Sequence, residues 1–443
     1  MTVLPSYITD ILSLYGQNGF KAYVVGGAAR DIIMGKKPHD YDIATDATPD
    51  EGTELLSAHG IKTVDLAKRH GTVVAVLDDN NIEITTFRVE GKYEDHRHPS
   101  SVLLTRSIED DVKRRDFTMN AVYIDDNGEF VDLFGGMKDI EDGVIRAVGD
   151  PSMRFEEDAL RILRALRFSA VLGFTIEEKT SEALLLKKDL LRDISPERIT
   201  EELKKTVTGR YAPDVIRRYI DVFSVIIPEL KRMEGFDQHS SYHDRDLLEH
   251  TLSVLSLLEN REPDLCLAAL LHDIGKPDVF VLDDMGFGHM KKHQEVSYRI
   301  ALSFLEEYRF PNDEKKEIGD LVRLHDAFPE TRSAVRRYLS EYSPEFMKKL
   351  SDLQRADIMS HSKKGRKRMD LLKIREDLTE EILRDNDCIK IKDLKISGDD
   401  IIGLGEKEGK KVGLILNDVF EKVIEGELKN VREELLLYVK SIL

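Results

Sequence analysis

Two aspartates one residue apart, Asp40 and Asp42, are the first candidates for chemistry in this sequence. They lie in the stretch DYDIAT, whose alternation of polar and apolar residues predicts a β-strand. Residues two apart in a strand share a face and lie roughly 7 Å apart, so both carboxylates can bind the same divalent cations. Asp-x-Asp also occurs on ordinary strand surfaces, and its interpretation as a two-metal site depends on its neighbours.

A glycine pair upstream of these aspartates supplies that context. The apolar run YVV is followed by Gly26, Gly27 and then Arg30, at the start of a predicted helix. A strand, a tight turn and a helix N-terminus together present backbone N–H groups to an anion. Arg30 can add a charge-assisted contact. The pattern predicts a phosphate-binding turn beside a metal site.

A second set of reactive side chains lies in the C-terminal half, where eight of the 13 histidines fall between residues 239 and 361. The adjacent pair His272-Asp273 follows a helical histidine, His250. Imidazole and carboxylate ligands together suit Mn²⁺, Fe²⁺, Co²⁺, Ni²⁺ or Mg²⁺. The spacing therefore predicts a second metal site, distinct from the first.

Between these two regions, residues 150–168 show helical periodicity. At 100° per residue, Arg154, Asp158, Arg161 and Arg164 fall on one side of a single predicted helix, and apolar residues fall on the other. Arginine forks and a carboxylate can present hydrogen-bond donors and acceptors to the edge of a nucleobase. The alternative is an ordinary solvated face, although such a face rarely lacks lysine.

Composition limits the wider organisation. With 443 residues the chain should hold two to four domains, and a net charge of −18 argues against bulk nucleic-acid binding without excluding a local basic groove. No apolar run approaches a membrane span, no secretory signal is evident, and two cysteines cannot form a disulfide framework, so the cytoplasm is the expected compartment. Four or five predicted strands in the first 150 residues give way to helices. Residues 363–375 hold seven basic residues and one acid, and residues 394–413 suggest a glycine-rich, loop-bearing tail.

The motifs of the first half resemble those of polymerase-β-type nucleotidyltransferases, in the bacterial class II branch that contains tRNA CCA-adding enzymes and poly(A) polymerases. The resemblance rests on segments in the family's order within residues 20–205. These segments are VVGGAARD, HDYDIAT, RRDFTMNA, DLFGG, DPSMRFEEDALRILRALRF and SPERITEEL.

The resemblance implies roles for the matched residues. Asp40 and Asp42 would be catalytic and hold Mg²⁺, and Glu83 is a candidate further acid. Gly27 and Arg30 would bind the triphosphate, while Arg115 and Asp116 would contact the nucleotide. The residues expected to read or bind the nucleotide from the neck helix are Asp158, Arg161, Arg164 and Arg167.

Three activities share these motifs: addition of CCA, addition of part of it, and addition of poly(A). The stretch from residue 92 to 117 resembles the intact flexible loop of the family, whereas enzymes that add only CC have a shortened loop. The segment from residue 394 to 416 resembles the tRNA-binding tail of CCA-adding enzymes, which favours tRNA over poly(A) activity. A generic glycine-rich connector is the alternative for that segment.

The histidine-rich region resembles the HD superfamily of metal-dependent phosphohydrolases, with the pattern H…HD…D. The matched ligands are His250, His272, Asp273 and Asp357, and further candidate ligands are His293 and His325. This implies hydrolysis of a cyclic phosphodiester or phosphomonoester, for which damaged RNA ends are one candidate substrate, unless the site is a relic.

We therefore expect an α+β protein with a polymerase-β-like α/β head followed by an all-α neck, HD body and tail. The expected divisions are residues 1–148, 149–233, 234–375 and 376–443. The expected function is addition of CCA to tRNA from CTP and ATP, with no membrane association. The alternatives are a poly(A) polymerase or A-adding enzyme, and an HD hydrolase whose head only binds RNA.

Overall fold

The computed structural model describes residues 4–67, 71–77, 80–91 and 102–443, which form two compact units, Met1–Lys231 and Arg232–Leu443. The strands are β1 Ala22–Val25, β2 Asp42–Thr45, β3 Lys62–Ala67, β4 Thr72–Leu77, β5 Asn80–Thr86, β6 Arg88–Glu90, β7 Val102–Leu104, β8 Val122–Ile124, β9 Phe130–Asp132, β10 Val144–Ile145, β11 Thr175–Ile176, β12 Val281–Leu282 and β13 Gly288–His289.

Helices dominate the rest. Those of the first unit are α1 Ser6–Gln17, α2 Gly26–Ile33, α3 Pro49–Ala58, α4 Ile108–Lys113, α5 Gly136–Asp142, α6 Pro151–Glu157, α7 Leu160–Leu172, α8 Glu178–Lys187, α9 Pro196–Val207, α10 Ala212–Arg218 and α11 Ile220–Ile226, with α12 Glu229–Met233 at the boundary. Those of the second unit are α13 Leu247–Leu257, α14 Pro263–Leu271, α15 His293–Glu307, α16 Asn312–Leu324, α17 Arg332–Glu341, α18 Pro344–Ser360, α19 Met369–Arg384, α20 Gly398–Gly403, α21 Lys410–Glu425 and α22 Arg432–Ile442.

The head is built on a mixed sheet with the strand order β3-β4-β5-β2-β1-β8-β9. Of its neighbouring pairs, β2 and β5 run parallel, and the others are antiparallel. Val24, Ile43 and Ile84 lie on the three central strands and form part of a core that also receives α1. The sequence predicts four or five strands in the head, whereas this sheet has seven. The prediction missed β3 and β9, in which polar and apolar residues alternate only weakly.

The neck differs from its predicted single helix. Asp158 is extended, with φ −139° and ψ 101°, and it separates α6 from α7. Its Oδ1 accepts a hydrogen bond from the backbone N–H of Leu160 at 3.1 Å. Aspartate commonly bonds nearby backbone N–H groups in this way and so favours helix ends over helix interiors. The apolar side is as expected: Ala159, Ile162 and Leu166 are fully buried.

The second unit is helical apart from the short hairpin β12–β13. The sequence predicts no strands after residue 150. This prediction is wrong for three strands of two residues each: β11 in the neck, and β12 and β13 in this hairpin. The C-terminal segment is more helical than expected, because Ile401, Val419 and Leu435 form a core between α20, α21 and α22. Within the described ranges, no helix is both long and apolar enough to cross a membrane. The mixed α+β class is confirmed.

Candidate functional site

Three carboxylates meet at one end of the central head strands. The parallel pairing of β2 and β5 puts Asp42 directly opposite Glu83. Asp40 lies in a bend before β2, so the prediction that it belongs to the strand is wrong. Although Asp42 is open to solvent, partial desolvation and the charges of Asp40 and Glu83 outweigh Arg115 and raise its pKa to about 6. Such mutual repulsion is relieved by a cation, and an all-oxygen ligand set suits Mg²⁺.

The glycine turn lies against this cluster. Gly26 has a φ of +68°, and a Cβ there would lie 3.7 Å from Oδ2 of Asp42. A side chain at this position would be strained by the positive φ, which explains the glycine. Gly27 follows in the first turn of α2, whose N–H groups are available to an anion.

Arg30 is held in one orientation at this turn. Its Nη1 donates to Oδ1 of Asn120 at 3.1 Å, and its Nη2 donates to Oδ1 of Asp31 at 2.7 Å. Its guanidinium lies 5.3 Å from the centre of the Phe168 ring. A cation fixed in this way can bind a phosphate with little further loss of side-chain entropy.

Arg115 is positioned by residues that the sequence analysis missed. Its Nε donates to the hydroxyl of Tyr123 at 2.7 Å, and its Nη2 donates to Oδ2 of Asp111 at 3.2 Å. Asp111 is completely buried and also pairs with Arg114 at 2.7 Å. A buried acid four residues before Arg115 on a helical stretch is the signal that could have identified this support.

Asp116 joins the head motif to the neck. Its Oδ2 accepts bonds from Nε and Nη2 of Arg164 at 2.9 and 2.6 Å. Its Oδ1 accepts bonds from the Phe117 N–H and from Nδ2 of Asn120. Although burial opposes ionisation, Arg164 and these donors lower the pKa of Asp116 to about 2. Asp116 is therefore a carboxylate at neutral pH.

Three arginine side chains surround one phenyl ring at the junction of head and neck. The guanidiniums of Arg30, Arg164 and Arg167 lie 5.3, 5.5 and 4.4 Å from the centre of Phe168. Arg167 also donates to the buried Glu202 at 3.0 Å. Three guanidinium groups thus meet at one ring near the phosphate turn, and each also pairs with a carboxylate, from Asp31, Asp116 or Glu202.

Asp158 and Arg161 occupy different environments. Oδ2 of Asp158 accepts a bond from Nη2 of Arg198 at 2.8 Å, and Asp158 is partly exposed. Arg161 is buried, with 7% of its surface exposed, rather than on the solvated face that a continuous helix predicts. Its guanidinium donates to Glu157 at 2.7 Å and to the carbonyls of Arg154 and Arg114. Arg161 thus links the neck to the end of α4.

The expected flexible loop lies partly outside the described residues, which omit 92–101. Its described end forms β7, which pairs with β6 in an antiparallel ribbon. Ser107 then caps α4 by accepting a bond from the N–H of Asp110.

In the second unit, four predicted ligands come together from separate helices. His250 comes from α13, His272 and Asp273 follow α14, and Asp357 comes from α18. Nε2 of His250 lies 3.0 Å from Oδ1 of Asp357 and 3.5 Å from Oδ2 of Asp273. Nε2 of His272 lies 3.2 Å from Oδ2 of Asp273. All four residues are buried.

The two further candidate ligands, His293 and His325, lie beside the other carboxylate oxygen of Asp273. Nε2 of His293 and Nε2 of His325 lie 3.2 and 3.5 Å from Oδ1 of Asp273. Each of two sets brings its ligand atoms within 4.8 Å of one another: His250 with His272 and Asp273, and Asp273 with His293 and His325. Asp273 therefore lies at the meeting point of two potential metal positions.

The histidine rings are oriented by their second nitrogen. Nδ1 of His272, His293 and His325 lies 2.7–2.9 Å from the carbonyl oxygen three residues earlier in each case. Nδ1 of His250 lies 2.7 Å from the Ser360 hydroxyl. This leaves Nε2 of each ring directed at the carboxylates, an arrangement typical of metal-binding histidines.

Several buried ligand atoms of this cluster are available to bind a metal. Nε2 of His250, Nε2 of His272 and Oδ1 of Asp273 are buried, and despite their short distances to neighbouring ligand atoms none is aligned for a hydrogen bond among the described residues. Burial, partly opposed by Asp357, lowers the pKa of His250 to about 4, so its ring is neutral at neutral pH. Neutral imidazoles and carboxylates are the protonation states that bind metal.

A cavity of about 360 Å³ opens onto this cluster. Lys276 reaches it with Nζ 2.7 Å from Oδ2 of Asp273 and 2.9 Å from Oε1 of Gln238. Arg368 and Tyr242 also line it. The sequence analysis missed these three residues; only Lys276, three residues after Asp273, had a helical spacing that could have placed it there.

Comparisons with known proteins match three families along the chain. The chain matches the poly(A) polymerase head domain over residues 22–146 and the HD domain over residues 247–373. A family described as the probable RNA- and SrmB-binding site of polymerase A matches residues 173–233. The head and HD families both imply dependence on divalent metal ions, and the histidine and aspartate groups of the second unit fit that requirement.

Full-length relatives share the same organisation. The CCA-adding enzyme of Bacillus subtilis strain 168 is 35% identical, covering 97% of this chain and 96% of its own. The crystal structure of the Bacillus stearothermophilus CCA-adding enzyme in complex with CTP has a TM-score of 0.71 and 27% identity, covering 99% of this chain and 98% of that one. The Thermotoga maritima CCA-adding enzyme complexed with tRNA, at 22% identity and a TM-score of 0.59, covers 100% of this chain and 96% of its own and shares the fold.

Proposed function

This chain belongs to the family of CCA-adding enzymes, and we propose that it performs nucleotide addition at the carboxylate cluster of the head. It is a nucleotidyltransferase that adds CCA to tRNA from CTP and ATP. The observation that supports the site is the pairing of Asp42 with Glu83 beside Asp40, against the phosphate-binding turn. The full-length relatives favour this function over poly(A) synthesis and over an RNA-binding head without catalysis.

In the proposed mechanism, Asp40, Asp42 and Glu83 would hold Mg²⁺. When bound, Mg²⁺ would supply charge neutralisation for the attacking and leaving oxygens. Arg30 and the N-terminal turn of α2 bind the triphosphate, and Arg115 neutralises the charge beside Asp42. The 3′-hydroxyl of the tRNA loses its proton to solvent, and its oxygen forms a bond to the α-phosphorus. The bond from the α-phosphorus to the oxygen that bridges to the β-phosphorus breaks, and pyrophosphate leaves.

Base selection is assigned to Asp158 and Arg161, supported by Arg164 and Arg167. Asp158 can accept a hydrogen bond from the amino group of cytosine or adenine. Arg161 is bonded to Glu157 and two backbone carbonyls, so reading a base requires it to exchange these partners for the nucleotide. Asp116, fixed by Arg164, would contact the ribose.

The head assignment is tested with Asp40→Asn and Asp42→Asn. Each is expected to lower the rate of nucleotide addition by about 100-fold or more while leaving tRNA affinity within about twofold, because the carboxylates serve chemistry rather than docking. Asp126→Asn, an exposed aspartate of the head, is the matched control. Near-normal addition by either variant would contradict the assignment.

For the second unit we propose a metal-dependent phosphohydrolase. His250, His272, Asp273 and Asp357 would hold one divalent cation, a transition metal or Mg²⁺, and His293 and His325 would share Asp273 with a second. When bound, the metal would supply activated water and polarise the phosphoryl group. Lys276 and Arg368 face the cavity, where they can bind phosphate oxygens. A water oxygen bonds to phosphorus, the bond to a ribose oxygen breaks, and that oxygen takes up a proton.

This activity is tested by metal analysis of the full chain and by hydrolysis of 2′,3′-cyclic AMP. The double variant His272→Ala with Asp273→Ala should lose both metal and hydrolysis while retaining CCA addition. The control is His289→Ala with Asp283→Ala, an exposed histidine–aspartate pair 2.8 Å apart in the same unit. A wild-type protein without metal and without hydrolysis would mean that this cluster is a structural relic.

We propose the division into head, residues 1–148, neck, 149–233, HD body, 234–375, and tail, 376–443; the two compact units divide between residues 231 and 232. We propose the cytoplasm as its compartment, because tRNA, CTP and ATP are the substrates.

A further inference from the structure

A cavity of about 200 Å³ lies in the neck, and its lining shares no residue with the head site or with the histidine and aspartate cluster. It is formed by the C-terminal end of α7, by β11 and by α10. Ile176 and Tyr219 are buried in its lining. The Ser169 hydroxyl donates to the Phe174 carbonyl at 2.7 Å, and the Tyr219 hydroxyl bonds with that of Ser181 at 3.0 Å. Since these hydroxyls already have partners, the buried end of the cavity offers a ligand mainly apolar contacts.

An aromatic ring borders the same cavity. The Tyr211 ring lies against Gly173, where an added Cβ would come within 2.7 Å of the ring. The backbone N–H of Tyr211 donates to the carbonyl of Ala170 at 2.9 Å, and Tyr211 is 44% exposed. The ring is therefore held at the cavity while part of its surface stays open to contact with a ligand.

Two opposite charges line the cavity from α10. Asp214 and Arg218 lie four residues apart on this helix, and both are exposed. Asp214 pairs with Arg217 at 2.6 Å, and its side chain remains 76% exposed, which leaves room for a second donor. Arg218 lies 5.5 Å from the centre of the Tyr219 ring, and within the described part of the chain it forms no hydrogen bond or ion pair. The cavity therefore presents an unpaired guanidinium beside a carboxylate, next to an apolar recess.

We propose that this cavity binds a free α-amino acid with an apolar side chain. The carboxylate of the ligand pairs with Arg218, its ammonium group pairs with Asp214, and its side chain contacts Ile176, Val215 and Tyr211. A nucleotide or an RNA phosphate fits less well, because Asp214 repels an anion and Arg218 is the single cation among the lining residues. The volume is also below the roughly 300–1,000 Å³ of sites for drug-sized ligands, which favours a ligand smaller than a nucleotide.

The test is calorimetric titration of the full chain with L-leucine, L-phenylalanine and two derivatives of leucine. L-leucinamide lacks the carboxylate and N-acetyl-L-leucine lacks the ammonium group, so each should bind about tenfold more weakly than L-leucine. Arg218→Met should weaken L-leucine binding about tenfold and leave L-leucinamide binding unchanged, because only the carboxylate contacts Arg218. Asp214→Asn should weaken L-leucine binding and leave N-acetyl-L-leucine binding unchanged. The matched control is Arg192→Met, an exposed arginine of the same unit outside the cavity.

The derivatives make each outcome decisive. Selective loss of L-leucine binding in both variants, with the derivatives unaffected as described, would support the inference. Absence of saturable binding by both amino acids would overturn it, and so would equal weakening of L-leucine and L-leucinamide by Arg218→Met. An affinity for a 12-nucleotide RNA that falls in Arg218→Met, with no binding of L-leucine, would overturn it by assigning the cavity to nucleic acid.

Discussion

The ion pair between Asp116 and Arg164 allows a quantitative prediction about how the neck holds the head motif. The Asp116 side chain is 10% exposed and receives both Nε and Nη2 of Arg164. Its pKa falls from 3.8 to about 2, which corresponds to roughly 2.5 kcal/mol of stability. Hydrogen bonds from Phe117 and Asn120 supply part of this stabilisation, so Arg164→Met should lower the free energy of unfolding by about 2 kcal/mol. This is less than the roughly 3–5 kcal/mol lost when one partner of a fully buried ion pair is removed.

For a unit of this size, about 2 kcal/mol should lower the melting temperature by about 4–8 °C. Calorimetry of the full chain can follow it, because CTP should raise only the transition of the unit that binds nucleotide. The folded-state pKa of Asp116 is depressed, so the stabilisation is complete above about pH 4 and disappears as the pH falls towards 2. The effect of Arg164→Met should therefore be equal at pH 7 and pH 5 and smaller at pH 3.

A double-mutant cycle isolates the pair from other effects of each substitution. Asp116→Asn with Arg164→Met should be clearly less destabilised than the sum of the two single variants. Arg192→Met removes an exposed arginine paired with Asp189 and should change stability by less than about 1 kcal/mol. Additive effects, or an Arg164→Met variant as stable as this control, would refute the account of the junction.

Three further predictions concern the head and neck. Asp158→Ala should change selectivity among CTP, ATP, UTP and GTP by about 1–3 kcal/mol, measured as ratios of kcat/KM, and a uniform loss of rate would argue against base reading. Deleting part of residues 94–107 should spare CC addition and impair the final A, as seen on sequencing gels, because the change of specificity needs a mobile element; equal loss of all three additions would indicate a folding role. In the metal-free protein, Glu83→Gln should lower the pKa of Asp42 from about 6, measured by carboxyl NMR, because a neighbouring negative charge is removed; an unchanged titration would contradict the clustering.

The ligand residues could be predicted from the sequence because their motifs are local. His272 and Asp273 are adjacent, and Asp40 and Asp42 are two apart. The position of Glu83 opposite Asp42 could not be derived from spacing, because it depends on the parallel pairing of β2 with β5 across 40 intervening residues. The use of Asp273 by both sets of histidines likewise depends on how four helices and their ends pack.

The neck shows where periodicity misleads. Placing residues at 100° assumed one uninterrupted helix, but Asp158 ends α6, and the break changes the direction of every later side chain. Arg161 is therefore buried in the protein rather than exposed to solvent. Its burial is tolerated because Glu157 and two backbone carbonyls accept hydrogen bonds from its guanidinium. A buried arginine with this many acceptors cannot be distinguished from an exposed one by residue type alone.

The most direct test of the central claim is to incubate the protein with three tRNAs, lacking CCA, CA or the final A, together with CTP and ATP, and to sequence the products. The account predicts that all three tRNAs end in a single CCA, and that Asp42→Asn leaves each of them unextended. Products that stop at CC, or that carry a run of A residues, would contradict it.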